Sequence, residues 1–242
     1  MINLLNIAKN AALEAADLLR KSKTNIIINK SEGKDIKLQS DLDSENIVIQ
    51  ILKENSDFDI LSEEYGFLKG NSPSNLKWII DPLDGSLNFS RNLTLCCISI
   101  ALWDGKNPIL GVIFDFNSNL LYSGIIGEGA WCNDTSITVS NINKKSNSII
   151  CTGFPVYSSF DDKSISNFIA EIQDFKKVRL LGSAALSLAF VACGSVEVYK
   201  ENNIAIWDVA AGLAIVKAAG GKIHFHFENN IGNVCADNSK II

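Results

Sequence analysis

Three stretches of this 242-residue chain put carboxylates where apolar sequence gives out. "DILSEEYG" runs into Glu63 and Glu64, and "WIIDPLDG" carries Asp81 and Asp84 directly after Trp78, Ile79 and Ile80. Asp208 follows Trp207 at the head of "WDVAAGLAIV". Each has an ordinary explanation. Glu63 and Glu64 could face solvent from a loop, Asp84-Gly85 could be a turn, and Asp208 could favour the macrodipole of a helix it opens. These explanations weaken if the elements converge, because carboxylates gathered beside a core repel one another and resist burial. Hard divalent cations relieve that repulsion. Mg2+ typically takes one or two carboxylates together with water and substrate phosphate. Sequence spacing by itself leaves convergence open.

The elements that must position these acids follow from periodicity. Leu5, Ala8, Ala12, Ala16 and Leu19 recur at helical spacing, which predicts an amphipathic helix over 2–22. "TNIIIN" reads as a short strand, "KSEGKD" as a turn, and a second helix is expected after Asp41, from about Leu42 to Glu54. "DFDILSEEYG" and "LKWIID" both read as strands ending in acids. Between Leu93 and Trp131 the pattern is β-rich, with turn signals at Asp104-Gly105 and Asn117–Asn119. The polar stretch "SNINKKSNS" suggests a boundary between an N-terminal α+β domain, 1–140, and a C-terminal α/β domain, 141–242. Beyond it strand and helix alternate, through "SIICTGF", "SISNFIAEIQ", "KVRLL", "SAALSLAFVAC", "SVEVYKE", "WDVAAGLAIVKAAG" and "GKIHFHF".

Composition narrows the class. Hydrophobic residues make up 47% and charged residues 20%, which suits a globular chain with a sizeable core. The net charge of −5 and the lack of a basic run argue against nucleic acid or an anionic membrane as partner. No apolar stretch approaches the roughly 20 residues of a bilayer span, and no signal peptide opens the sequence, so a cytoplasmic location is expected. The six cysteines show neither a CxxC pair nor zinc-finger spacing, and most lie in apolar runs, as buried thiols do. His224 and His226 alternate in a late strand and read as structural.

"DPLDGSLNF" and "WDVAAGLAIVKAAGG", with "SEEYG" upstream, resemble the signature elements of the inositol monophosphatase family of metal-dependent sugar phosphatases. The resemblance runs from the first helix to about Asp237. It implies a layered αβαβα fold of the α/β class and Mg2+-dependent hydrolysis of a small sugar or polyol phosphate. Inositol 1-phosphate is the first choice and fructose 1,6-bisphosphate the runner-up; a nucleotide bisphosphate or a non-catalytic regulatory role ranks lower. It further implies two to three Mg2+ ions. Glu63, Asp81 and the carbonyl of Leu83 would hold the first, and Asp81, Asp84 and Asp208 the second. A third would sit near Glu63, largely through water. Gly85 and Ser86 would bind phosphate, Asp41 and Ser86 would act on the attacking water beside Glu63, and Lys30 falls at the spacing of a lysine near the site. Gly182, Ser183, Ala184 and Glu201, together with Asp84 and Asp208, would face the substrate. The resemblance also implies a homodimer. Leu87 departs from the family in standing where a polar residue is commoner, and the sequence stops at Ile242, where many members continue into another helix.

Overall fold

The computed structural model describes residues 1–32, 35–154 and 161–241. In chain order the elements are α1 (Ile2–Ser22), β1 (Ile28–Glu32), β2 (Asp35–Leu38), α2 (Gln39–Asn55), β3 (Asp59–Ser62), β4 (Gly66–Leu68), β5 (Lys77–Asp84) and α3 (Ser86–Ser90). There follow β6 (Cys97–Trp103), β7 (Pro108–Asp115), β8 (Leu120–Ile125), β9 (Gly129–Cys132), β10 (Thr135–Ser136) and β11 (Ile149–Thr152). The remainder is α4 (Asp162–Ile172), β12 (Lys177–Arg179), α5 (Ala184–Ala192), β13 (Val198–Ala205), α6 (Ile206–Ala218), β14 (Lys222–Glu228) and β15 (Ile231–Asp237).

The strands form an eight-stranded sheet in the order β10-β9-β8-β7-β6-β5-β3-β4 and a five-stranded sheet in the order β12-β11-β13-β15-β14. A two-stranded hairpin, β1-β2, stands apart. Period-two alternation assigns the faces of the large sheet. Trp78, Ile80, Ile98, Ile100 and Val112 pack with the alanine-rich stripe of α1 and with α2. Ile79, Ala101 and Ile113 point the other way, onto α5 and α6. Asp81, two residues past Ile79, therefore emerges on the α6 side.

Helix α6 is buried almost all round because it lies between the two sheets, touching β5–β8 on one side and β13–β15 on the other. Its backbone comes so close to β7 that a Cβ at Gly111 would stand 2.2 Å from the carbonyl oxygen of Ala211. The order of layers is helices, large sheet, helices, small sheet. Outermost, α4 reaches β13 through the Lys200–Glu171 ion pair.

Several expectations shift in detail. α2 starts at Gln39 rather than after Asp41, since the Asp41 carboxylate reaches back to the N–H of Leu38 at 2.8 Å and supports the first turn from inside it. The early strand covers Ile28–Glu32, displaced from "TNIIIN", so most of the polar "KSEGKD" lies in a hairpin rather than a turn. β4 and β15 have no counterpart in the sequence reading. Pro155, which follows "SIICTGF", lies outside the described residues. No helix among them is long and apolar enough to cross a membrane.

Candidate active site

The parallel pairing of β3 with β5 sets Ser62 opposite Ile80, so Glu63 and Asp81 leave adjacent strand ends side by side. Pro82 then interrupts the ladder. With no N–H to donate, it falls where the β5–β6 register shifts between Asp81 and Asp84. The irregular backbone is satisfied locally, with the Leu83 N–H donating to Asp81 Oδ1 at 2.9 Å. Gly85 follows at φ +89°, and a Cβ there would lie 2.7 Å from the carbonyl of Leu95. Only glycine makes this turn comfortably. The Ser86 hydroxyl folds back to donate to the Leu83 carbonyl at 2.9 Å.

Asp208, in the first turn of α6, completes the group. Burial lifts Asp81 well above the usual carboxylate range, and the charges of Glu63, Asp84 and Asp208 push it further. Asp208 is raised by burial and then by Glu63, Asp84 and Glu201. Glu63 is pushed up to about 8 by burial, then by Glu64 and Asp41. Carboxylates from β5, α6, α2, β13 and the turn after β3 thus feel one another's charge at the strand ends. Among the described residues no three of these side chains close on one point in ready-made ion-coordinating geometry. The donor set still fits a hard cation: all oxygen, mutually repelling and shielded from water.

Asp84 is held differently. Its Oδ2 accepts from the Ser183 hydroxyl at 2.6 Å and from the Ala185 N–H at 2.8 Å, at the N-terminus of α5. Burial raises Asp84 only to about 6, because these donors oppose the shift. Ser183 also caps α5, accepting from the Leu186 N–H at 3.2 Å. Asp41 is buried on α2 and raised to about 7 by that burial. Its Oδ2 is taken by Leu38, while Oδ1 has no partner. Asp41 and Ser86 are therefore not hydrogen-bonded to each other. The serine's proton is engaged with Leu83 instead.

The second half supplies a pocket of about 250 Å³, lined by Asp84, Gly182, Ser183, Ala184, Glu201 and Asp208 among others. Glu201 points into it beside a bulge in the β13–β15 register. Its Oε2 accepts from the Tyr199 hydroxyl at 2.9 Å, and burial raises it to about 7. The other oxygen lies over Gly153, where a Cβ would meet it at 2.2 Å. Lys30 lies in β1, in register with Lys37, and Leu87 is exposed on α3.

Two residues missed in the sequence belong here. The Asn88 amide donates to the carbonyls of Leu95 at 2.7 Å and Leu181 at 2.9 Å, tying α3 to the Gly182 turn. Its signal was the asparagine within "DGSLNF". Glu45, one helical turn after Asp41, is fully buried and accepts from the Glu64 N–H at 3.1 Å. Cys96, Cys97 and Cys151 are no substitute nucleophiles, since burial raises the first and last to about 11 and Cys97 well above its usual value.

The architecture and its acid-lined pocket are those of a hydrolase of phosphoric monoesters. The inositol monophosphatase family model matches residues 2–239, and the chain belongs to that family. A protein of Pasteurella multocida named Nus factor SuhB is 34% identical over 228 residues, covering 91% of this chain and 84% of that one. An inositol monophosphatase structure from Anabaena superposes with a TM-score of 0.83 at 34% identity, over 98% of this chain and 90% of that one. The extragenic suppressor protein suhB of Bartonella henselae gives 0.89 at 28% identity, over 98% and 95%.

Proposed function

We propose that the chain is a Mg2+-dependent phosphatase of small sugar or polyol phosphates, with inositol 1-phosphate as its first substrate. The observation that carries this is the gathering of Glu63, Asp81, Asp84 and Asp208 at one largely buried place, each raised by burial and two of them, Asp81 and Asp208, also by others of the four. Glu63, Asp81 and the Leu83 carbonyl would hold one ion, and Asp81, Asp84 and Asp208 another. When bound, the ions supply neutralising charge to the phosphoryl and leaving oxygens and lower the pKa of water.

The chain's own residues do the rest. Backbone N–H groups at the Gly85–Ser86 turn receive phosphate oxygens. Asp41, with a free buried oxygen and a pKa near 7, is suited to take a proton from the attacking water. Ser86 fixes the Leu83 carbonyl and orients the same water. Glu201 accepts substrate hydroxyls, while Gly182, Ser183 and Ala184 shape the wall beside the ring. Phosphate release from a panel of inositol 1-phosphate, fructose 1,6-bisphosphate and adenosine 3′,5′-bisphosphate, each with and without Mg2+, tests the reading. No Mg2+-dependent release from any of them sinks it. Preference for fructose 1,6-bisphosphate would favour the runner-up.

We further infer a cytoplasmic homodimer. Light scattering near the 26.4 kDa chain mass at micromolar concentration would overturn the dimer. The name Nus factor on a relative at 34% identity favours a second reading, a partner-binding role beside or instead of catalysis. An inactive but fully folded, Mg2+-binding chain would support it.

A further inference from the structure

Lys37 stands on β2 among the acids, and no step above uses it. Its Nζ lies 2.7 Å from Glu64 Oε2, with the glutamate side chain 7% exposed and the lysine 35%. A carboxylate that deep is costly without a partner. The arrangement is fixed from both ends: Glu45 holds the Glu64 N–H, and the strand carrying Lys37 packs against α3. The charge of Glu64 raises both Glu63 and Asp41, and that of Lys37 acts on the same two groups in the opposite sense. The lysine is thus electrically part of the cluster.

We propose that Lys37 is a built-in cation of the site, occupying the Glu64 carboxylate that would otherwise take a further divalent ion and so limiting the ions held on the Glu63 side. The proposal rests on the Mg2+-dependent reading and deepens it. The sign follows from charge. At equal distance a neighbouring unit charge acts on a divalent ion with about twice the energy it exerts on a proton. Removing the lysine's charge therefore tightens Mg2+ binding even where it raises the neighbouring acids. A lysine that merely pins the hairpin would lower the melting temperature and leave ion binding alone.

Isothermal titration of Mg2+ into the metal-free full chain distinguishes these roles. Lys37→Met is expected to bind one further ion per chain, or to bind Mg2+ roughly tenfold or more tightly. Lys37→Met combined with Glu64→Gln should return to wild-type stoichiometry and affinity, and Lys37→Arg should not depart from them. Glu64→Gln alone leaves the lysine uncompensated and should weaken Mg2+ by a similar factor; it decides the matter should Lys37→Met not fold. Wild-type binding in Lys37→Met or in Glu64→Gln overturns the proposal, as does a gain that survives in the double variant. A wild-type chain that binds no Mg2+ overturns the metal reading beneath it.

Discussion

The two ends of β5 make opposite use of charge. At its start, Lys77 opens onto a surface depression of about 680 Å³, which Asp59, Lys69, Asp104 and Lys106 also line. There each acid is answered nearby. Asp59 accepts from the Gly70 N–H at 2.8 Å and pairs with Lys69 at 3.0 Å, and these donors hold it below the usual carboxylate range. Asp104 accepts from the N–H groups of Lys106 and Asn107. Toward the far end, four residues on, Asp81 is buried among like charges and driven far upward. The larger hollow is electrostatically settled and the smaller pocket is not. Size is thus a poor guide to chemistry in this molecule, whereas unresolved charge is a good one.

The largest expected effect tests the acidic end directly. Asp81→Asn should fold, since amide replaces carboxylate at equal volume, yet fall below a tenth of wild-type kcat, a barrier increase of at least about 1.4 kcal/mol. Unchanged circular dichroism with retained activity would remove Asp81 from the site and collapse the contrast.

Glu201→Gln comes next. Charge-assisted hydrogen bonds to ring hydroxyls are worth about 1.5–3 kcal/mol each, so kcat/KM on inositol 1-phosphate should drop roughly tenfold or more. On p-nitrophenyl phosphate, which has no ring hydroxyls, the variant should match wild type. Equal losses on both substrates would assign Glu201 to the acid cluster rather than to the substrate.

A third measurement needs no mutation. Glu63, Asp41 and Glu201 are raised to about 8, 7 and 7, above their unfolded values near 4. The folded metal-free chain therefore holds more protons than the unfolded one, and stability must fall as pH rises from about 4 through 8. Its melting temperature should be about 5 °C or more higher at pH 5 than at pH 8.5, with Mg2+ narrowing the gap. A flat or rising profile contradicts the assigned burial of these acids. The smallest effect belongs to the other end of β5, where Lys77→Met should change kcat by less than about twofold, within the usual range for surface substitutions.

Much of this was legible in the chain because strong local signals agreed with the tertiary result. The alanine stripe of α1, the β-rich centre and the alternation after Ser148 all survive. β15 escaped because its buried apolar residues, Val234 and Ala236, are few and its edge partner β14 exposes alternate side chains, which blunts the pattern. β4 is three residues long, too short to carry a period. Within the site, the acids at strand ends could be proposed from position and motif, and the structure brings Glu63, Asp81, Asp84 and Asp208 together. Roles that depend on who touches whom were out of reach. Ser183 lines the pocket as expected, and its hydroxyl is given to Asp84, a pairing the sequence does not mark. Ser86 turns to Leu83 rather than Asp41. Glu45 and Lys37 act through pairings across 19 and 27 residues of chain, for which the sequence holds no local mark.

The bare carbon at Gly111 carries one more implication, for anyone redesigning the molecule. Asp208 rides on α6 one turn before Ala211, and Asp81 rides on the sheet against which that turn lies. The contact at Gly111 therefore works as a gauge block, setting how far apart the two halves of the acid cluster are held. A single methyl group at position 111, placed 2.2 Å from a backbone oxygen, cannot be absorbed by any side chain and must move the helix itself. The tolerance of the whole site is set by a residue that touches none of its chemistry.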